Sequence, residues 1–121
     1  MSHSVFSGMS HAQAYLSNWN ARAYERFPDM FHDDAEYQEI AMDHTFKGRG
    51  EIEGFLRTLA GKFPDVAWEP LDVFVESPQK LAIHWRATRT IDGTLNVVDG
   101  VSLQYLKDGK ILRNIDFRNR G

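Results

Sequence analysis

The spacing of apolar residues changes at Pro64, and that change limits what the chain can fold into. Before the proline, the clearest segments repeat at helical spacing. After it, apolar and polar residues alternate with a period close to two. In Ser10–Ala23 the residues Ala12, Tyr15, Leu16, Trp19 and Ala23 form one helical stripe, with Ser10 and Gln13 as a capping box. A second short helix is expected from Arg22 toward Phe27, ended or bent by Pro28, which lacks a backbone donor; Phe31 then closes a turn. A strand over Ala35–Ile40 follows a polar His32-Asp33-Asp34 turn, and Ala41–Gly50 reads as a loop or irregular hairpin. Glu51–Phe63 places Ile52, Phe55, Leu56, Leu59 and Phe63 on one face of a third helix, which Pro64 stops.

Four strands are expected beyond the proline: Val66–Glu76, with a bulge at Pro70, then Leu81–Thr90, Leu95–Leu106 and Ile111–Arg118. Ser77-Pro78-Gln79, Asp92-Gly93 and Asp108-Gly109 turn the chain between them, the two Asp-Gly pairs supplying the positive φ of tight hairpins. Helices followed by a meander make an α+β protein, with helices covering one face of a curved sheet.

The 121 residues are expected to form one domain over 1–121, and 42% hydrophobic against 26% charged residues is enough apolar mass for a core. Absence of cysteine excludes disulfides and thiolate chemistry and fits a reducing compartment. A net charge of −3, with no basic block, lacks the footprint of a nucleic-acid binder. No apolar run is long enough to span a membrane, and Met1-Ser2-His3-Ser4 has no signal-peptide character, so the expectation is a cytoplasmic protein. The five histidines, at 3, 11, 32, 44 and 84, lack ligand spacing, and the consecutive His32, Asp33 and Asp34 cannot all face one ion; no metal or organic cofactor is expected.

The element order, together with Tyr15–Asn20, Phe31–Ala35 leading into Tyr37, Phe46-Lys47-Gly48 and Asp108–Ile111, resembles the nuclear transport factor 2-like superfamily. That superfamily includes SnoaL-like polyketide cyclases, ketosteroid isomerase and limonene epoxide hydrolase. The resemblance covers about residues 10–118. It implies a cone-shaped, curved, mostly antiparallel sheet wrapped around three N-terminal helices, the cystatin-like α+β barrel.

The resemblance also implies site residues. Asp116 matches the last-strand catalytic aspartate of the SnoaL-like cyclases and epoxide hydrolases; a carboxylate between Ile115 and Phe117 is out of place unless it has work to do. Inside an apolar cone, burial would raise its pKa into the range useful for acid-base chemistry, whereas at a sheet end it would pair with Arg113 or Arg118. Glu39 falls at the general base of ketosteroid isomerase and Tyr15 at its oxyanion-binding tyrosine. Ser102 stands where the isomerase has a protonated aspartate and the cyclases a histidine, so neither dyad is complete. His84 could substitute from the neighbouring strand, if Ala82, His84 and Arg86 rather than Ile83 and Trp85 face the cone. Trp19 and Asn114 complete the candidate ligand-binding set.

Two functions fit these residues. One is a cofactor-free isomerase, cyclase or hydrolase acting on a small hydrophobic molecule, with Asp116 as principal acid or base and Glu39 second. The other is a non-catalytic ligand-binding or dimerisation module of the same fold. Strands Leu81–Thr90 and Leu95–Leu106 carry apolar residues in both phases, for example Ile83 and Trp85 against Val97, Val101 and Leu103, which points to a homodimer through the sheet.

Overall fold

The computed structural model describes residues 7–119, so the N-terminal residues read above for a signal peptide, His3 among them, lie outside it. Helix α1 spans Gly8–Asn20. Its N-cap is Ser7, whose hydroxyl accepts from the Ser10 N–H at 3.2 Å, so the expected Ser10–Gln13 box lies one turn inside the helix. The helix ends before Ala23 because Arg22 turns to φ 55°. The Arg22 guanidinium donates to the carbonyls of Trp19 and Asn20 at this end, and to those of Pro64 and Val66 across the structure. Orphan carbonyls of the last turn thereby gain donors.

A 3-10 turn, Tyr24–Arg26, leads into the short α2, Phe27–Met30. Pro28 therefore opens a helix instead of closing one: in the first turn its missing N–H has no partner to lose. Strand β1, Phe31–Glu39, absorbs the His32–Asp34 segment expected to turn. Its ladder with the last strand shifts register between Phe31 and Glu36, so those polar residues occupy a bulge. The expected loop contains strand β2, His44–Lys47, paired antiparallel to β1. Helix α3 begins earlier than expected and runs Gly48–Lys62, with Glu51 reaching back to accept from the Lys47 N–H at 2.9 Å.

The remaining strands fall close to their expected places: β3 Ala67–Ser77, β4 Lys80–Ile91, β5 Thr94–Lys107 and β6 Lys110–Arg118. A register shift between Pro70 and Asp72 marks the bulge in β3, and both Asp-Gly pairs adopt positive φ at each residue. The sheet has six strands in the order β2-β1-β6-β5-β4-β3, antiparallel except for the parallel pair β1–β6. Its two ends do not pair, so the sheet stays open.

Helix α1 lies against β3, and α3 against β1 and β2, closing the concave face over an aromatic core. Trp19 is its hub, with the rings of Tyr15, Tyr37, Phe55 and Trp68 centred 5.6–6.4 Å away. Alternation along β4 is settled by burial. Leu81, Ile83, Trp85 and Ala87 face the core, so His84 stands on the outer face with Ala82 and Arg86. Gly100 makes this phase possible: it pairs with Trp85, and a Cβ there would lie 2.4 Å from the Trp85 ring.

Candidate functional site

Residues 114, 116 and 118 of β6 share the inward face, and Asp116 is 4% exposed beneath the helices. Neighbouring strands supply its partners. Ser102, opposite on β5, donates to Oδ1 at 2.5 Å, and Asn114 donates to the same oxygen at 2.8 Å. The Tyr37 hydroxyl, from β1, donates to Oδ2. A carboxylate has about four lone-pair positions, so one on Oδ2 is left to take a proton. Burial raises the Asp116 pKa above the ordinary aspartate value. The Ser102, Tyr37 and Asn114 hydrogen bonds and the Arg118 charge oppose that shift without cancelling it.

The donors are themselves held in place. Trp85 Nε1 donates to the Ser102 oxygen at 2.9 Å, fixing the hydroxyl proton toward Asp116. Gln104 Nε2 donates to Asn114 Oδ1 at 3.0 Å, and Gln104 Oε1 lies 2.7 Å from His11 Nε2. Gln104 and Asn114 are completely buried, so a polar chain runs through the core from His11 on α1 to the carboxylate. Since Gln104 Oε1 can only accept, His11 carries its proton on Nε2.

Glu39 is the register partner of Asp116 on β1 and is also buried. Its Oε1 accepts from the Ala41 N–H at 3.1 Å and lies 3.5 Å from Arg118 Nε. Burial and then the nearby Asp116 charge raise its pKa, against the pull of Arg118. Arg118 thus pairs with Glu39. Asp116 has no salt bridge among the described residues, and Arg113 stacks against Tyr105 instead.

A cavity of about 80 Å³ opens above the two carboxylates. Trp19, Trp68, Trp85 and Phe55 wall it, Met42 stands at its lip, and Arg89 and Arg118 contribute to its lining. Below lies a space of about 20 Å³, room for a single small group, bordered by Tyr15, Trp19, Ser102 and Asp116. The Tyr15 hydroxyl and Trp19 Nε1 are buried here with no hydrogen-bond partner among the described residues. Burial, and next the Asp116 charge, raises the Tyr15 pKa well above the ordinary tyrosine value, while the adjacent polar groups of Tyr37 and Trp19 work the other way. Tyr15 is therefore a neutral donor.

Among the expected residues, Asp116, Glu39, Tyr15, Trp19, Ser102 and Asn114 come together, whereas His84 lies outside on the opposite face of the sheet. Tyr37 and Gln104 escaped the sequence reading as site residues, and Trp85 entered it only within one of the two possible facings of its strand. The alternation that put Glu39, Ser102 and Asn114 inside also marks Tyr37 and Gln104, each two residues from one of them. Among the described residues no three His, Asp or Glu side chains converge as a metal site would require, and no helix is long and apolar enough to cross a membrane.

The architecture matches known structures at low sequence identity. A protein with ketosteroid isomerase-like fold from Catenulispora acidiphila, solved with trimethylamine, superposes with TM-score 0.81 at 18% identity, covering 92% of this chain and 86% of that one. IdmH from Streptomyces antibioticus, provisionally assigned as a polyketide cyclase, gives TM-score 0.80 at 14% identity, covering 94% and 93%. TerC, co-crystallised with polyporic acid, gives 0.78 at 20% identity, covering 93% and 91%. No curated protein matches significantly in sequence. The family model of the SnoaL-like domain matches residues 12–114, and with the shared fold this establishes that the chain belongs to the SnoaL-like domain family.

Proposed function

We propose that the cavity binds a small hydrophobic carbonyl compound and that Asp116 moves a proton on it without a metal or organic cofactor. The reaction would be an isomerisation, an aldol-type cyclisation, a dehydration or a hydrolysis. The observation that carries this reading is the placement of Asp116: buried at the foot of a largely apolar cavity, without a salt bridge among the described residues, with a raised pKa and an open position on Oδ2. Ser102 and Asn114 spend their donors on Asp116 and so hold the carboxylate. Tyr15 and Trp19 have unspent donors beside it and are suited to a carbonyl oxygen. Glu39 is the second proton carrier. Two structural neighbours were crystallised with small organic molecules, which supports a ligand site in this fold.

The three hydrogen bonds to Asp116 also favour a second reading, a non-catalytic binding module whose polar groups satisfy one another. Exchange of the α-hydrogens of 1-tetralone in deuterated water, followed by NMR, separates them. The wild type should accelerate exchange, and Asp116→Asn should lose about 100-fold or more of that acceleration with its melting temperature unchanged or raised. No acceleration by the wild type, or full exchange by the Asn variant, would favour the binding module. We further propose a cytoplasmic homodimer, on the cysteine-free composition and the apolar outer face of the sheet.

A further inference from the structure

Among the described residues Arg89 has no carboxylate partner, although it lines a cavity that also holds Glu39, Asp116 and Arg118 among aromatic and aliphatic walls. It follows Trp85 and Ala87 on the inward face of β4 and lines the same cavity as Asp116. Its Nε donates to Asn96 Oδ1 at 3.3 Å, and its guanidinium carbon sits 4.4 Å from the centre of the Phe63 ring. It forms no salt bridge among the described residues, and neither terminal nitrogen has a hydrogen-bond partner there. The other cation of the cavity adds to the excess: Arg118 is near enough for its charge, after burial, to hold the Arg89 pKa below its ordinary value. Among the described residues Arg118 forms a salt bridge only with Glu39, at 3.5 Å, while its charge also reaches Asp116.

A partly desolvated guanidinium beside a second cation is costly unless an anion compensates it. Phe63 supplies only the modest attraction of a ring face. The fork of donors left open is the shape that binds a carboxylate with two parallel hydrogen bonds. Asp116 does not fill this role: it makes no salt bridge with Arg89, and Tyr37, Ser102 and Asn114 hold its carboxylate by three hydrogen bonds, leaving only one position on Oδ2.

We infer that the ligand of this cavity is an amphipathic carboxylic acid, its carboxylate received by Arg89 with Arg118 beside it and its apolar body against Trp19, Trp68 and Trp85. This rests on the reading of the cavity as a ligand site and gives that ligand an ionised end. The two ends of the site then have separate tasks. Arginines at the more exposed end fix orientation and select charge, while the Asp116 end meets the uncharged part of the molecule.

The test compares 3-phenylpropionate with 3-phenylpropanamide, matched in shape and differing in charge, titrated at pH 7.5 into the wild-type protein and followed by protein NMR shifts. The wild type should bind the acid at least tenfold more tightly than the amide. Arg89→Gln, which keeps a donor for Asn96, should bring the ratio within threefold of one, and Arg89→Lys should restore part of the preference. The wild-type ratio should also fall between 50 and 500 mM sodium chloride, a readout that decides the matter if Arg89→Gln does not fold. Equal binding of the two probes by the wild type, or an undiminished preference in folded Arg89→Gln, overturns the inference and leaves the ligand cavity standing. Binding of neither probe by the wild type removes the cavity reading and the inference together.

Discussion

Glu39 and Asp116 face each other across the parallel ladder between β1 and β6, both on the inward side. Paired positions on adjacent strands lie about 5 Å apart, so one carboxylate feels the charge of the other. The Asp116 charge accordingly adds to burial in raising the Glu39 pKa.

Stability should respond to pH through this pair. Both folded-state pKa values are raised, so above the ordinary carboxylate value of about 4 the folded protein holds protons that the unfolded chain has released. Stability from these groups is complete below that pH and is lost as pH rises through the folded values. His11 acts oppositely: burial lowers its pKa despite the Gln104 bond, so its contribution is lost as pH falls. Melting temperatures of Asp116→Asn and wild type, compared at each pH, cancel the histidine. The difference should grow in favour of the variant from pH 4 upward; a constant difference would show that Asp116 titrates normally.

Replacing Gly100 should disturb the site from behind. A Cβ at this position would approach the Trp85 ring to 2.4 Å and the Phe117 carbonyl oxygen to 2.8 Å, and the backbone of β6 cannot move aside. Gly100→Ala should cost about 1–3 kcal/mol, as overpacked cores do. It should also push the Trp85 indole off Ser102, visible as a shift of its NMR signal. Unchanged stability with an unmoved indole would mean that the sheet yields freely at this crossing.

The polar chain can be cut at Gln104. Leucine in its place removes the Gln104 donor from Asn114 Oδ1 and the Gln104 acceptor from His11 Nε2. Gln104→Leu should lose about 1–3 kcal/mol in denaturant unfolding and, with Asn114 loosened, should weaken any proton transfer by Asp116. A neutral effect on both would make the chain ornamental.

The outer face of the sheet should carry the dimer. Phe117 and Val97 are each 45% exposed there and Phe74 is 63% exposed, more apolar surface than an isolated sheet face usually shows to water. Sedimentation of the wild type at micromolar concentration should give a dimer, and Phe117→Lys should give a monomer with intact secondary structure. A monomeric wild type would refute the interface.

What could be read in the sequence depended on how local its causes were. The meander β3–β6 was legible because each strand pairs with its chain neighbour across a marked turn. Strand β2 and the start of β1 were not, since His32, Asp33 and Asp34 look like a turn until the distant β6 draws them into a bulged ladder. Asp116 stood out as a lone acid in an apolar strand. The facing of His84 was hidden because both phases of β4 hold apolar residues, and the glycine opposite Trp85 was the clue that went unread. Arg89 carried no signal in the sequence, since nothing near it there reveals the desolvation it meets in the fold.

The parallel pairing of β1 with β6 also sets when the site comes into being. Tyr37 and Asp116 are separated by 79 positions, whereas the hairpins of β3–β6 join neighbouring segments. Closing so long a loop must be compensated by many contacts formed together, so this pairing is expected late in folding, after the hairpins have zipped. On the ribosome β1 emerges early and waits with one edge unpaired until the final strand is made. A chain halted before β6 could own every helix of the fold, with Tyr37 and Ser102 already made, and still lack the carboxylate they donate to, Asn114 and the floor of the cavity.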